Sequence, residues 1–476
     1  MNKYVLANTE IIRGISWKSA GQIFQNISQL IFTIFLARIL DTSDYGLMAM
    51  ALVFNKFIIS MTNFNFGTAI NQSLKINKNQ ISTFFYMTFG INLILSLISY
   101  YGAGLVGSFF NEPALAPIIR VMASILFLKS FQFPYILLSR EMNFKTISII
   151  EILSIIIGNV IGLYCAIRGY GVWSLVMIRL VHVTTSCVFL TLIYKWYPSL
   201  PTLKGMHSKL KFASFMFGSN LVYFFSSHLS DLVIGKAVGK EALGAFSIAR
   251  NIASLPSNFI KNNVSSVLLI AFSKIQKDIK QFKEKQSETL YFFSILFIPP
   301  MIILFSTSNN FINVIYGAKW TSAVPFLQIL SIVAIFEGLS HFCRSAIISK
   351  GKSNIIFFAT IIEVVAQITL IYILINKYNI YGICISLLIS SIINFVFVAH
   401  FYDLIYNEKF NVLKQVLPNA FISTLFIPPI YALTKISINI YLSFTIQLIV
   451  AFILYLIFLY IARKKYLNNS LLKTNL

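Results

Sequence analysis

The chain has 476 residues, of which 57% are hydrophobic and only 11% are charged, a balance that excludes an ordinary soluble domain. A net charge of +23 would suggest a nucleic-acid partner for a soluble protein, but here the basic residues lie mainly in short loops between apolar stretches. That distribution is typical of a protein that spans a membrane.

Fourteen stretches are long and apolar enough to cross a bilayer as helices, since about 20 residues suffice for one crossing. In chain order they are 15–39, 46–70, 81–110, 115–138, 146–167, 173–194, 212–235, 244–271, 287–308, 323–349, 353–376, 381–404, 414–434 and 438–461. Turn residues separate many of them, as in Asn111 to Pro113. The sequence therefore predicts an all-α integral membrane protein with about 14 transmembrane helices.

The basic loop residues are distributed unequally between the two sides of the membrane. Of the 38 Lys and Arg residues, 23 lie in one set of alternate loops, 7 lie in the other set, and 8 lie within the apolar stretches. Positively charged loops stay in the cytoplasm, so both termini are predicted to be cytoplasmic.

The first six stretches resemble the second six. The segment 38–46, after the first stretch, matches 236–244, after the seventh, at an offset of 198. Segment 169–172 likewise resembles 380–383, and an acidic residue precedes each. Two six-helix bundles related by a parallel repeat are therefore expected. We predict an N-terminal lobe over 1–196, a cytoplasmic linker over 197–211, a C-terminal lobe over 212–405, and two additional helices with a cytoplasmic tail over 406–476.

Eight basic residues lie inside the predicted spans, where a cation costs roughly 2.5–3.5 kcal/mol on insertion scales. They are Lys18, Lys56, Arg120, Lys129, Arg179, Arg250, Lys261 and Arg344. Lys18, Arg120 and Arg344 lie near span ends, where a long side chain can reach the headgroups. The others indicate an interior built to hold an anion.

Polar residues recur at helical spacing on spans 1, 2, 7 and 8. These stripes are Lys18, Gln22, Gln25 and Gln29; Lys56, Ser60, Asn63 and Gly67; Asn220, Tyr223, Ser227 and Asp231; and Arg250, Ser254, Ser257 and Lys261. We interpret them as the lining of a cleft. The alternative is that they are helix-packing seams, because polar side chains often bridge spans. Long cationic side chains fit that alternative poorly.

Four acidic residues lie inside the spans: Glu151, Asp231, Glu337 and Glu363. Glu151, Asp231 and Glu363 are candidate ion-coupling residues, and for the two glutamates a structural ion pair is the favoured interpretation. The histidines and cysteines lack ligand spacing, so the sequence predicts no metal, no cofactor and no catalytic residue.

Several segments of the chain resemble the polysaccharide-transporter family: 36–51, 139–145 with 150–152, 169–175, 317–320 and 324–330. That family includes the colanic-acid and teichuronic-acid exporters and the Wzx-type O-antigen flippases, within the superfamily of multidrug, oligosaccharidyl-lipid and polysaccharide exporters. The resemblance reaches at least residue 405. It implies two six-helix bundles in a V-shaped arrangement, with cavity cations on spans 1, 2 and 8, which hold Lys18, Lys56, Arg250 and Lys261 here.

The resemblance implies a flippase, not an enzyme. It would move undecaprenyl-diphosphate-linked oligosaccharide repeat units across the bacterial inner membrane by alternating access, for O-antigen, capsule or exopolysaccharide assembly. Besides that substrate, the expected partners are membrane lipids and the polysaccharide polymerase machinery; nucleic acid is not expected. The expected substrate-binding residues are Lys18, Gln22, Gln25, Gln29, Lys56, Asn63, Asn220, Tyr223, Arg250 and Lys261.

Two alternatives remain open from the sequence. A multidrug antiporter coupled to protons or sodium shares the superfamily, but cationic drugs would need acidic groups in the cleft. A multi-span O-antigen polymerase is the alternative enzyme, but such enzymes usually carry a large external loop, whereas the predicted external loops are all short.

The predicted topology can be tested by reporter fusions at loop positions. Fusions after Lys209 and Lys280 should report the cytoplasm, and a fusion after Lys240 should report the opposite side, because the basic loops are retained inside. Paired phosphatase and fluorescent-protein reporters make the measurement. An external signal at Lys280 would disprove the arrangement.

Overall fold

The computed structural model describes residues 2–62, 70, 76–202, 224–259, 279–405, 411–435 and 439–474. Every regular element within these ranges is helical, which confirms the predicted all-α class. Contacts divide the chain into two compact units, Met1–Gly244 (unit 1) and Ala245–Leu476 (unit 2). The predicted linker at 197–211 stays a prediction, because most of it lies outside the described residues.

The described part of unit 1 is a set of helices joined by short turns. In chain order they are α1 (Asn2–Ile39), α2 (Thr42–Thr62), α3 (Lys78–Phe110), α4 (Leu115–Leu128), α5 (Pro134–Arg140), α6 (Phe144–Ile167), α7 (Val172–Ile193) and α8 (residues 224–237). A 3₁₀ turn over Lys129–Gln132 joins α4 to α5, and together they form one candidate span, Leu115–Arg140.

The boundary between the two units falls inside α9 (Lys240–Phe259). Unit 2 continues with α10 (Ile279–Phe311), α11 (Val324–Ser349), α12 (Ser353–Ile405), α13 (Asn411–Thr424), α14 (Ile427–Ala432) and α15 (Ile440–Thr474). A π-helical turn over Ile312–Tyr316 and a 3₁₀ turn over Ala318–Ala323 connect α10 to α11.

Ten helices among the described residues are long and apolar enough to cross a membrane. Most of their bounds agree with the predicted stretches within a few residues, as for Phe144–Ile167 and Val172–Ile193. The total of fourteen stays a prediction, since the seventh and eighth stretches reach outside the described residues.

Helix α12 contains two of the predicted stretches and folds back on itself at Asn379. This residue has non-helical angles, φ 48° and ψ −128°. Glu363 and Asn394, on either side of it, are hydrogen-bonded to each other, which requires the two halves to lie side by side. Gly171, which immediately precedes α7, has nearly the same angles, φ 53° and ψ −132°. The repeated turn therefore involves Asn379, and Gly382, the residue aligned by sequence, lies within the helix.

Small residues allow α6 and α7 to pack closely. A Cβ atom added to Gly158 would lie 2.8 Å from the Ile178 carbonyl oxygen, and one added to Gly162 would lie 3.0 Å from the Ser174 carbonyl oxygen. This small-xxx-small spacing is the usual way for membrane helices to approach each other's backbone.

Two glycines related by the 198-residue repeat pack reciprocally within unit 1. A Cβ atom on Gly46 would lie 1.8 Å from the carbonyl oxygen of Lys240, and a Cβ atom on Gly244 would lie 2.0 Å from the carbonyl oxygen of Thr42. Thr42 and Lys240 are themselves related by the same offset. Both glycines are therefore required by close backbone contact between the starts of α2 and α9.

The segment after α7 is held against the start of α3. Ser199 N donates to Ser82 Oγ at 2.8 Å, and Thr202 N donates to Thr83 Oγ1 at 2.8 Å. Trp196 stacks on Phe133, with ring centroids 5.3 Å apart. The chain leaving α7 is thus fixed to unit 1 as far as Thr202.

The last helices of unit 2 are attached to α10 by buried amides. Asn310 Nδ2 donates to Gln447 Oε1 of α15 at 3.0 Å, and Asn419 Nδ2 of α13 donates to Ser294 Oγ at 2.7 Å. Polar groups buried between membrane helices need such partners. These contacts make the C-terminal helices an integral part of unit 2.

Replacing Gly46 with alanine should destabilise the protein, because the new methyl group would meet backbone atoms that cannot rotate away. Overpacking of this kind costs typically 1–3 kcal/mol, and we expect a loss of about 2 kcal/mol for Gly46→Ala and for Gly244→Ala. Gly104→Ala is the matched control, since nothing lies within 4 Å of a Cβ atom there. The measurement is the melting temperature of each purified variant. Equal melting temperatures for the Gly46 and Gly104 variants would contradict the close contact between α2 and α9.

Candidate functional site

The polar stripe of α1 is separate from its packing seam. Gly14, Gly21 and Ser28, spaced by seven residues, face α6: a Cβ atom on Gly21 would lie 2.8 Å from Ser148 Oγ, and Asn159 Nδ2 donates to Ser28 Oγ at 3.4 Å. A spacing of seven keeps residues on nearly one face of a helix. These small residues therefore provide the contact with α6.

The stripe Lys18, Gln22, Gln25 and Gln29 is rotated from that seam by about 70° around the helix at 100° per residue. Lys18 and Gln29 are exposed, and Gln22 and Gln25 are half-buried. Lys18 Nζ lies 5.8 Å from the centroid of the Phe144 ring, at the start of α6. The contact with α6 does not explain the three glutamines, which stay candidates for contact with a ligand.

Lys56 is exposed in a part of α2 where its neighbours are buried. Ala51, Val53 and Ile58 are between 0% and 4% exposed, whereas the Lys56 side chain is accessible. Four of the predicted binding residues, Asn63, Asn220, Tyr223 and Lys261, lie outside the residues whose side chains are described. Their roles stay predictions.

Two further cations inside unit 1 lie within electrostatic range of each other. Arg179 lies on α7 between Val176 and Val183, which are 0% and 5% exposed, and yet the Arg179 side chain is exposed. Lys129, in the turn after α4, lies within electrostatic range of both Arg179 and Glu151.

Neither Lys129 nor Arg179 has a hydrogen-bond or ion-pair partner among the described residues. Like charges repel, so two neighbouring cations in a membrane interior need water or an anion between them. The sequence placed both residues inside spans but did not bring them together. The two residues are 50 positions apart on different helices, so helical spacing cannot predict that they interact. Their relation follows only from how the helices pack.

Two acids inside the spans of unit 1 each lie beside a histidine. Glu151 Oε2 lies 3.2 Å from His182 Nε2, across the contact between α6 and α7. Asp231 Oδ2 lies 3.0 Å from His228 Nδ1, one turn away on α8. The sequence treated these histidines as separate buried side chains and did not predict either pair.

In unit 2, aromatic rings position Arg250. Its guanidinium carbon lies 4.7 Å from the centroid of the Phe246 ring, which is fully buried. Phe246 in turn contacts Phe326 of α11, at 6.1 Å between centroids. A cation over an aromatic face is held by about 0.5–2 kcal/mol and retains donors for an anion. Ser257, on the same stripe, has a buried hydroxyl oxygen without a partner.

Arg344 and Glu363 form a half-buried network in unit 2. Arg344 Nη2 lies 3.7 Å from Glu363 Oε2 and donates to Asn394 Oδ1 at 3.1 Å, while Asn394 Nδ2 donates to the same carboxylate. Arg344 Nη1 also reaches Thr360 Oγ1 at 3.4 Å. The Arg344 side chain thus turns inward, away from the headgroups, and joins α11 to both halves of α12. A structural role for Glu363 follows from these bonds.

Outside the spans, Tyr194 Oη donates to Glu141 Oε1 at 2.6 Å, at the end of α7. Burial raises the pKa of Tyr194 to about 12, and the Glu141 carboxylate adds to the shift. Tyr194 therefore remains a neutral donor throughout the physiological pH range and is a fixed structural contact.

Removing Glu363 should destabilise unit 2, because Arg344 would lose its counter-charge in a low-dielectric interior. Breaking a buried pair from one side costs about 3 kcal/mol, whereas replacing both partners with apolar residues is often nearly neutral. Glu363→Ala should therefore lower the melting temperature, and Arg344→Leu combined with Glu363→Leu should restore most of it. Glu288→Ala, which removes the surface pair with Lys285, is the control. No rescue in the double variant would contradict the network.

Comparison with known proteins agrees with this architecture. A family model described as polysaccharide biosynthesis protein matches residues 35–325. The lipopolysaccharide biosynthesis protein WzxC of Escherichia coli is 24% identical over 80% of this chain and 79% of its own length. The succinoglycan biosynthesis transport protein ExoT of Rhizobium meliloti is 24% identical over 75% and 72%.

Among solved structures, the lipid II flippase MurJ in an inward closed conformation superposes with a TM-score of 0.76, over 94% of this chain and 99% of MurJ. The sequence identity is 20%, so this likeness concerns the fold. Because the family model covers more than half of the chain, the assignment rests on sequence as well as on fold. The chain belongs to the polysaccharide biosynthesis protein family and is a multi-pass membrane transporter rather than an enzyme.

Proposed function

We propose that the protein is a flippase for undecaprenyl-diphosphate-linked oligosaccharide repeat units, acting in the bacterial cytoplasmic membrane with both termini in the cytoplasm. The observation that carries the proposal is the neighbouring pair Lys129 and Arg179, two intramembrane cations without a partner among the described residues. A lipid-linked diphosphate supplies the negative charge that such a pair requires.

The chemistry of the side chains matches the two parts of that substrate. Lys and Arg bind phosphate by charge-assisted hydrogen bonds, and Arg can do so with two parallel bonds. Lys18, Lys56 and Arg250 are proposed to act with Lys129, Arg179 and Lys261 in this way. The amides of α1, together with Asn63, Asn220 and Tyr223, are proposed to bind sugar hydroxyls.

The membrane potential can favour export. Moving a negative charge outward across an inside-negative membrane is downhill by about 2.3 kcal/mol per charge per 100 mV. A diphosphate therefore gains free energy on crossing, and hydrolysis of a nucleotide is not needed. An association with the polysaccharide polymerase on the outer side would remove the product, and we propose it as the partner.

Three of the four acids inside the spans favour this proposal over a cationic-drug exporter. Glu151 and Asp231 are each within hydrogen-bond distance of a histidine, and Glu363 is paired with Arg344. A transporter for cations would instead keep a carboxylate available to its substrate. The net charge of the unit 1 cluster is thus positive, as an anion requires.

Arg179→Ala and Arg250→Ala should each lower surface polysaccharide at least tenfold in a host that depends on this exporter. One charge-assisted hydrogen bond is worth about 1.5–3 kcal/mol, which corresponds to one to two powers of ten. Lipid-linked repeat units should accumulate on the cytoplasmic face. Arg250→Lys should keep partial activity, because the charge remains while the two-pronged geometry is lost.

Arg168→Ala is the matched control, since Arg168 is exposed at the end of α6, with its guanidinium over the Tyr164 ring. It should export normally. Immunoblots must show equal amounts of every variant in the membrane. Normal export by both alanine variants at equal protein levels would refute anion binding by these cations.

A further inference from the structure

The helix pair α3 and α4 of unit 1 carries an intramembrane arginine that the proposed substrate site does not use. Arg120 lies on α4, and its guanidinium carbon is 5.7 Å from the centroid of the Tyr100 ring on α3. The Arg120 side chain is exposed and has no hydrogen-bond or ion-pair partner in the part of the chain that the structure describes. A charge inside a span is costly unless water or a counter-charge lies beside it.

A buried hydrogen bond fixes how α3 and α4 lie against each other. Ser96 Oγ of α3 donates to the Ala123 carbonyl oxygen of α4 at 2.7 Å. Tyr100 and Arg120 follow about one turn further along the antiparallel pair, so they are level with each other, as their ring contact requires. Arg120 is about 7.5 Å from the start of α4 at 1.5 Å per residue. A long side chain reaches the phosphate layer of a bilayer from that depth.

The face of α3 beside Arg120 changes in character along the helix. Leu93, Leu97, Tyr100 and Gly104 follow the i, i+4, i+7, i+11 spacing of one helix face. Leu93 and Leu97 are 37% and 47% exposed, and exposed leucines inside a span suit contact with lipid chains. A Cβ atom on Gly104 would have nothing within 4 Å. From the middle of α3 towards its C-terminal end, the face is thus apolar, then polar beside a cation, then open.

We propose that Arg120 and Tyr100, with the open space beside Gly104, bind the phosphate headgroup of an anionic membrane phospholipid. The order of surfaces on α3 matches such a lipid, whose acyl chains would lie along the leucines and whose headgroup would occupy the space at Gly104. A guanidinium stacked over a ring keeps its edge N–H groups available for two parallel bonds to phosphate. The Tyr100 hydroxyl supplies a further donor. In the proposed topology this lipid belongs to the outer leaflet.

The charges near the site favour a lipid with a net negative charge over a zwitterionic one. The ammonium group of an ethanolamine headgroup would need a carboxylate. Glu112, in the turn that joins α3 to α4, is the only acidic residue of the sequence between 78 and 140, and it is paired with Lys240 at 3.0 Å. Phosphatidylglycerol carries hydroxyl groups in place of the ammonium. It therefore suits the site better than phosphatidylethanolamine.

The test measures lipid binding to the purified full-length chain by native mass spectrometry, with dioleoyl phosphatidylglycerol as the probe. Arg120→Gln should weaken the tightest binding step on the order of tenfold, because a charge-assisted contact to phosphate is lost. Dioleoyl phosphatidylethanolamine should bind the native chain more weakly than phosphatidylglycerol, and Arg120→Gln should reduce this preference.

Arg168→Gln is the matched control for the charge. Arg168 also lies over a tyrosine ring, 5.3 Å from the centroid of Tyr164, but it lies beyond the last residue of α6, outside the span. This variant removes the same charge and should bind both lipids as the native chain does.

A second pair of variants tests the open space without changing any charge. Gly104→Leu should weaken phosphatidylglycerol binding, because the new side chain would take the place of the headgroup. Gly102→Leu makes the same change on nearly the opposite side of α3, where a Cβ atom also has nothing within 4 Å, and it should bind as the native chain does. Melting temperatures equal to that of the native chain would show that both variants keep the helix packing.

Unchanged phosphatidylglycerol affinity in Arg120→Gln would overturn the proposal, and so would equal losses in the two glycine variants. A change in the number of chains per particle in Arg120→Gln would also overturn it, since the face would then be a contact between two copies. The same titration with undecaprenyl diphosphate should give equal affinities for the native chain and Arg120→Gln. A loss there as large as the loss for phosphatidylglycerol would assign Arg120 to the transported lipid instead.

Discussion

The cost of placing charge in a membrane interior governs the whole arrangement of polar residues in this protein. A charged side chain there needs a counter-charge, a hydrogen-bonding network or water. The described residues differ in which of these they have. Arg344 has Glu363 and Asn394, Arg250 lies over an aromatic ring, and the Arg179 side chain is exposed. The surroundings of each intramembrane cation therefore depend on how its charge is accommodated.

The two units resolve the same constraint differently. Unit 2 neutralises its arginine with a carboxylate from the helix pair folded at Asn379, and the result is a rigid connection between α11 and α12. Unit 1 gives the corresponding carboxylate a histidine, and Lys129 and Arg179 have no partner in the part of the chain that the structure describes. The chemistry of the proposed function thus concentrates in unit 1 and on Arg250.

Sequence periodicity and hydropathy predicted the fold class and most span boundaries, because both depend on local composition. The helical spacing of Lys18, Gln22, Gln25 and Gln29 also predicted one shared face. Such local patterns do not predict which side chains meet across neighbouring helices. Whether Glu151 meets His182, or Lys129 meets Arg179, depends on the rotation of each helix about its axis, which packing determines. The repeated turn was also misaligned, since an asparagine and a glycine can adopt the same left-handed backbone and the matching glycine lies elsewhere.

The position of Lys129 has a consequence for how the protein is made. This lysine lies within the candidate span Leu115–Arg140, at the turn between α4 and α5. A newly synthesised span enters the bilayer before its neighbours have assembled around it, so this one must carry a bare ammonium group past the translocon. The apolar residues on either side have to outweigh that penalty until α7 packs beside this span. The charge that we propose to hold the substrate is therefore a cost during biogenesis, and insertion of this span limits how many more cations it can carry.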